Sequence, residues 1–144
     1  MAFLGTYEHI LDAKHRLTIP SVHRGRFADG LTLVQGIEAC IEFWIPAEYA
    51  AYVEQTIAGR SRLLPETRQL ERWFGGRAAT VFLDSANRVV LPLNLMTHAG
   101  LRKEVTVSSG TRCLELWDRA TFKAMDAQLT ADIDDLTKLI GSQG

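Results

Sequence analysis

An α+β fold, made of two copies of one supersecondary unit about a pseudo-two-fold axis, is what this sequence predicts. Three observations predict it. First, Leu11-Asp12-Ala13-Lys14-His15-Arg16-Leu17-Thr18-Ile19-Pro20 is echoed by Leu83-Asp84-Ser85-Ala86-Asn87-Arg88-Val89-Val90-Leu91-Pro92, so that Asp12, Arg16 and Pro20 return 72 positions on. Second, Cys40-Ile41-Glu42-Phe43-Trp44 returns as Cys113-Leu114-Glu115-Leu116-Trp117, offset by 73. Third, both halves run through the same signals: strand, loop, strand, short helix, strand, strand, helix. A solenoid needs three or more short repeats to bury a core, so two long copies imply one paired unit instead.

The elements follow in order. Gly5 to Leu11 is rich in β-compatible residues, and Leu17-Thr18-Ile19 resumes the extended pattern up to Pro20. That proline suits the first turn of a short helix, where its missing N–H would be unpaired anyway. Asp29-Gly30 marks a turn. Leu31 to Val34 and Cys40 to Ile45 read as a strand pair around Gly36. In the second of these, Ile41, Phe43 and Ile45 share one face while Cys40, Glu42 and Trp44 share the other. Thr80 to Leu83, Val89 to Leu91, a short helix from Pro92 to Ala99-Gly100, Glu104 to Val107 and Cys113 to Trp117 repeat the series.

Two helices lie between the copies. Pro46 opens one, with Tyr49, Tyr52, Val53 and Ile57 at helical spacing and Gly59 beyond its end; Pro65 opens the next, with Leu70, Trp73 and Phe74 before Gly75-Gly76. Asp118 can cap a last helix by accepting a bond from a free N–H of its first turn. Its apolar line of Phe122, Met125, Leu129, Ile133, Leu136 and Ile140 resembles a heptad seam. Such a seam packs on the chain's own sheet, the simpler expectation, or on another subunit. No low-complexity linker interrupts the chain. The expectation is one domain over 1–144, with repeats at about 5–59 and 77–140 joined by a helical segment.

Composition narrows the class. With 144 residues, 47% hydrophobic and 23% charged, the chain matches an ordinary soluble globular domain. No apolar run approaches the ~20 residues of a membrane-spanning helix, so no membrane partner is expected. The opening residues carry Glu8 and Asp12 and no hydrophobic signal core. Cys40 and Cys113, at equivalent repeat positions in apolar strands, read as buried thiols rather than a disulfide. A cytoplasmic location follows from these features. A net charge of −1 does not mark the whole chain as a nucleic-acid binder. The charge is nevertheless segregated: Lys14, Arg16, Arg24 and Arg26 stand against one acid, and Asp126, Asp132, Asp134 and Asp135 make the tail acidic. Segregated charge can steer a polyanion to one face. The five arginines from Arg60 to Arg77 read as solvated surface.

The Asp-x-x-x-Arg blocks are the candidate functional site. On a helix, Asp12 and Arg16 would be a surface i,i+4 pair and little else. Extended β-branched flanks and the following proline argue for a hairpin-like loop. Asp12 and Asp84 are therefore assigned to set loop geometry, each bonding backbone N–H groups in an Asx-turn. His15 and Asn87 precede the arginines, and Asn and His are among the few non-glycine residues enriched at positive φ, so a left-handed residue is expected there. An arginine held by aspartate on a stiff loop is pre-organised to donate paired hydrogen bonds to phosphate or to a guanine edge. The plainer reading is that each arginine only braces its own turn. Lys14 and His15 add positive charge to the first loop and Ser85-Ala86 add none to the second, so the first should bind the more strongly.

Phe3-Leu4-Gly5-Thr6-Tyr7, then Leu11-Asp12-Ala13-Lys14, Arg16-Leu17 and Ile19-Pro20, closely resemble the N-terminal signature of the MraZ family. Leu83-Asp84 with Arg88 and Pro92, then Ala99-Gly100-Leu101, Lys103-Glu104-Val105 and Leu114-Glu115-Leu116-Trp117-Asp118, are similar to its second half. The resemblance implies a swapped-hairpin, double-split β-barrel related to AbrB-type regulators, with peripheral helices. It implies a ring-like homo-oligomer that binds double-stranded DNA sequence-specifically, at repeated boxes upstream of the division and cell-wall gene cluster, and hence a nucleoid-associated transcriptional regulator. It carries the DNA-facing role onto the two motifs, Asp12 with Arg16 and Asp84 with Arg88; Lys14, His15 and Asn87 join them as candidate DNA-binding residues. The family commonly has glycine before each motif arginine, where this chain has His15 and Asn87.

Other functions are weighed on the same residues. Asp12 and Asp84 could be paired carboxylates for acid–base work, but an arginine partner would keep each ionised. His9, His15, His23 and His98 have no consistent companions for a nucleophilic arrangement. No Cys-x-x-Cys or His-x-x-x-His pair suggests a metal, and no phosphate-cradling glycine loop suggests a nucleotide cofactor. The chain is therefore read as a non-enzyme without metal or cofactor. The runner-up is a non-catalytic protein-binding module, antitoxin-like or a scaffold, using the same fold; a duplicated, oriented basic loop has no obvious use there. Trp44 and Trp117, at one repeat position, read either as strand surface partly covered by helices or as a subunit interface.

Overall fold

Alternation of apolar and polar residues divides the chain into short strands, and a computed structural model describes residues 2–143. The first half contains β1 (Thr6–Ile10), β2 (Arg16–Thr18), a 3-10 helix (Ser21–Phe27), β3 (Leu31–Gln35), β4 (Ile41–Trp44) and α1 (Pro46–Ile57). After α2 (Pro65–Gly76), the second half repeats the order with β5 (Ala78–Val81), β6 (Arg88–Val90), α3 (Leu93–Ala99), β7 (Glu104–Ser109), β8 (Leu114–Asp118) and α4 (Arg119–Gln143). Pro46 and Pro65 stand in the first turns of α1 and α2, where no N–H is missed. Gly100 ends α3 in a left-handed conformation, at φ 60°, that a glycine adopts without steric cost.

The two copies interlock. The strand order is β1-β7-β8-β4-β3-β5 in a six-stranded sheet, with β2-β6 as a separate two-stranded ribbon, and every pairing is antiparallel. The first strand of each half thus pairs with the third strand of the other half: β1 with β7, and β5 with β3. The equivalent strands β2 and β6 pair with each other, as do β4 and β8. This pattern places a pseudo-two-fold axis through both self-paired ladders. The expectation of a closed barrel is met only as far as this mixed sheet-and-helix arrangement: β1 and β5 are the edges of the larger sheet and do not pair, and β2-β6 is hydrogen-bonded to neither.

One apolar core draws on both halves. Leu17, Ile19, Phe27, Leu33, Ile41 and Phe43 meet Val89, Leu91, Leu95, Val105, Leu114 and Leu116, all essentially without solvent contact. A smaller cluster covers the outer face of the larger sheet, where Trp44 stacks on Tyr52 at 4.9 Å and the Tyr49 hydroxyl donates to the Phe74 carbonyl at 2.7 Å. Trp44 and Trp117 are 4% and 3% exposed, which resolves their position in favour of cover within the chain. Cys40 and Cys113 are buried free thiols. The last helix departs from the simpler expectation. Asp118 accepts from the Thr121 N–H at 3.2 Å, and Phe122 packs edge-on against Trp117. Beyond that, Leu129, Ile133, Leu136 and Ile140 of the seam are 40–71% exposed, because the helix outruns the sheet it starts on. Among the described residues no helix is long and apolar enough to cross a membrane.

Candidate nucleic-acid interface

The site begins with an alternation. In the β2–β6 ribbon, Leu17 is paired with Val89, and both point into the core at 0% and 1% exposure. Their neighbours must face the other way. Arg16 is paired with Val90 and Thr18 with Arg88, so burial of Leu17 and Val89 drives both arginines to the outer face. Their side chains are 23% and 32% exposed.

Each loop is then closed by its aspartate. Asp12 Oδ1 accepts from the backbone N–H groups of Lys14 and Arg16, both at 2.9 Å, and Oδ2 accepts from Arg16 Nε at 2.6 Å. Asp84 repeats the set, taking the N–H groups of Ala86 and Arg88 at 2.9 Å and Arg88 Nε at 3.0 Å. His15 and Asn87 donate to the Asp12 and Asp84 carbonyls at 3.0 and 2.9 Å. They are the non-glycine residues at positive φ among those described, at 57° and 60°. Their own carbonyls accept across the dyad from Leu91 and Ile19, each at 3.0 Å. The left-handed residue therefore turns the chain and stitches the two loops together.

The carboxylates also join the copies. Arg88 Nη1 lies 4.0 Å from Asp12 Oδ2, the oxygen that holds Arg16. Backbone donors above all, with Arg16 beside them, pull the Asp12 carboxyl down to about 2. Asp84 is lowered by the matching set, led by the Arg88 N–H. Both stay ionised, and each arginine spends its Nε on its own aspartate. Among the described residues the terminal nitrogens of Arg16 and Arg88 make no other protein bond closer than that 4.0 Å approach. Two guanidinium ends are thereby aimed outward from a rigid base, which suits planar anionic or base-edge acceptors.

Lys14 and His15 stand exposed on the first loop, while Asn87 is half-buried on the second. Arg24 and Arg26, the rest of the basic run, are directed inward: Arg24 Nε donates to the Ile19 carbonyl at 2.9 Å, and the Arg26 guanidinium lies 3.7 Å from the centre of the Phe3 ring. Among the middle arginines, Arg62 pairs with Glu71 at 3.0 Å, as a solvated face would. Two cations escaped the sequence reading. Arg102 and Lys103 line one cleft with Asp12, Ala13 and His15, because the Leu11 N–H donates to the Lys103 carbonyl at 2.9 Å. Arg102 is held by Asp118 at 3.3 Å. Only the β1–β7 pairing brings these residues to the first loop, and no local signal marks them.

Fold and site together define a duplicated two-loop protein, in which one rigid ribbon presents two aspartate-braced arginines. The family described as "MraZ protein, putative antitoxin-like" matches residues 2–72 and 74–138. A "Transcriptional regulator MraZ" of Mycoplasmoides gallisepticum is 34% identical over 116 residues, 81% of each chain. Those of Lachnoclostridium phytofermentans and Limosilactobacillus fermentum are 32% and 31% identical, covering 85% and 93% of each chain. The chain belongs to the MraZ family.

Proposed function

We propose that the protein is a non-catalytic transcriptional regulator that binds double-stranded DNA with the outer face of the β2–β6 ribbon. Arg16 and Arg88 read bases or clamp phosphates, Lys14, His15 and Asn87 assist, and Asp12 and Asp84 hold the loops in shape. The observation that carries this reading is that both arginines stand on the outer face of the ribbon, each tied through Nε to its own aspartate, with Arg88 Nη1 only 4.0 Å from Asp12 Oδ2. A brace needed only for the turn would not require two such groups, from two repeats, side by side on one exposed face.

The targets in this reading are repeated boxes upstream of the division and cell-wall gene cluster, and the protein works in the cytoplasm on the nucleoid. The chain acts as one domain of two repeats, about 5–59 and 77–140, in a swapped-hairpin barrel; the interlocked pairing of β1 with β7 and β5 with β3 supports that description. One chain offers few basic contacts, so useful affinity comes from a ring-like homo-oligomer meeting several boxes at once. The alternative, a protein-binding module, would rely on the exposed seam of α4.

The test is salt-dependent binding to the DNA just upstream of the protein's own gene. A steep fall of affinity with salt reports phosphate contacts, and preference over scrambled DNA reports sequence readout. Equal binding to both, unchanged by Arg16→Ala, would falsify the assignment.

A further inference from the structure

Away from the ribbon, the second self-paired ladder brings a different set of groups together. Glu42 of β4 is paired directly with Glu115 of β8. Like charges opposite each other on adjacent strands repel, and this pair is partly shut off from water. Trp44 Nε1 donates to Glu42 Oε1 at 2.9 Å, and Trp117 Nε1 donates to Glu115 Oε1 at 3.2 Å. The second oxygen of each carboxylate accepts nothing from the described residues. Cys40, on the same strand face as Glu42, is 1% exposed, and its thiol has no hydrogen-bond partner among them. Its Sγ and one oxygen from each carboxylate all lie within 4.8 Å of one another.

We propose that Cys40, Glu42 and Glu115 bind one thiophilic divalent cation, Zn2+ rather than Mg2+ or Ca2+, at the β4–β8 ladder. Three observations carry this: the facing carboxylates, the buried thiol within 4.8 Å of one oxygen of each, and the indole donors that each hold one carboxylate oxygen. Ligand atoms of a tetrahedral zinc ion stand about 3.3–3.8 Å apart, given bonds of about 2.0–2.3 Å. Small side-chain rotations from the observed spacing reach that geometry. Hydrogen bonds to a ligating group from an outer residue are the usual device for orienting it. A thiolate in the set disfavours magnesium and calcium, which take oxygen ligands.

On binding, the Cys40 thiol releases its proton to solvent and its sulfur bonds to the metal; the carboxylates contribute lone pairs. Without an ion, burial above all, with Glu115 next, holds that thiol far above its ordinary range, so it is protonated. No sequence motif announces the site, because Cys40-x-Glu42 and Glu115 are 73 residues apart and meet only through the β4–β8 register.

The experiment uses the reduced, tag-free full chain, stripped with chelator and titrated with Zn2+ against a chromophoric competitor, then with Co2+. One ion per chain is expected, together with a near-ultraviolet thiolate-to-cobalt absorption that Cys40→Ala abolishes. Glu42→Gln and Glu115→Gln should each weaken binding by at least the roughly tenfold that loss of even an outer-shell partner costs. Should Cys40→Ala fail to fold, as judged by metal-free circular dichroism, the glutamine variants carry the test, since they keep shape and remove only charge. Absence of stoichiometric binding, a cobalt complex without the thiolate band, or affinity indifferent to both glutamine variants overturns the proposal.

Discussion

The Asp12–Arg16 and Asp84–Arg88 loops share a backbone but not an environment. Both have an aspartate taking two backbone N–H groups, a left-handed fourth residue and an arginine anchored through Nε. The first adds exposed Lys14 and His15 and borders the cleft that contains Arg102 and Lys103. The second has Ser85 and Ala86 instead, and its arginine leans toward the carboxylate of the first. Duplication has kept the geometry and let the charge diverge. The loops are thus equivalent as scaffolds and unequal in surface charge, and Asp12 approaches two arginines where Asp84 holds one.

The largest test of that inequality removes the arginines. Each base-reading contact is worth ~1–3 kcal/mol, which is about five- to 150-fold in Kd. The double variant Arg16→Ala/Arg88→Ala should bring binding to upstream DNA down to its level on scrambled DNA. Of the single variants, Arg16→Ala should cost more, as read by fluorescence anisotropy at matched salt. Equal losses would show that the added charge around loop one is idle.

A backbone test comes next. His15→Val places a β-branched residue at φ 57°. The left-handed region costs such a residue ~1–2 kcal/mol, so the thermal midpoint should fall, whereas His15→Gly should be tolerated. Asn87→Val should behave alike, since φ there is 60°; if only one valine variant loses stability, the loops are not equivalent scaffolds.

A smaller effect tests the Asp12 brace by pH. A carboxyl whose folded value is depressed stabilises the fold fully above its unfolded value, near 3.9, and that stabilisation is lost as pH falls through the folded value. For Asp12, lowered to about 2, the loss should run from about pH 5 down to pH 2. The thermal midpoint of the wild type should therefore fall toward that of Asp12→Asn across this window. A constant difference between them down to pH 2 would contradict the assigned bracing. The smallest effect is expected from Lys103→Ala, which should weaken DNA binding uniformly and reduce the slope of log affinity against log salt by about one.

Much of the geometry of the two loops was legible in advance, for local reasons. The repeat marked the two loops, His15 and Asn87 marked the left-handed turns, and Pro46, Pro65 and Gly100 marked helix ends, because each rests on the conformational preference of one residue or its near neighbours. The outward aim of the arginines was less legible, since it depends on Leu17 and Val89 sharing one buried rung. Arg102 and Lys103 were invisible as neighbours of Asp12, because a ladder between distant strands brings them there. The seam of α4 was readable as apolar spacing, but spacing does not say how far the sheet beneath it extends.

By itself, the sequence determined the duplicated unit, the chemistry of its loops and the order of its elements. Those features follow from short-range sterics and from patterns of alternating polarity. Tertiary structure alone decided which copy's strand lies beside which, and with it the shared Asp12 oxygen, the cleft beside the first loop and the facing Glu42 and Glu115. The reason is that strand pairing is chosen by the burial it achieves between segments far apart in the chain, from Val34 with Ala78 to Thr6 with Ser108, a sum over the whole core that no local window contains.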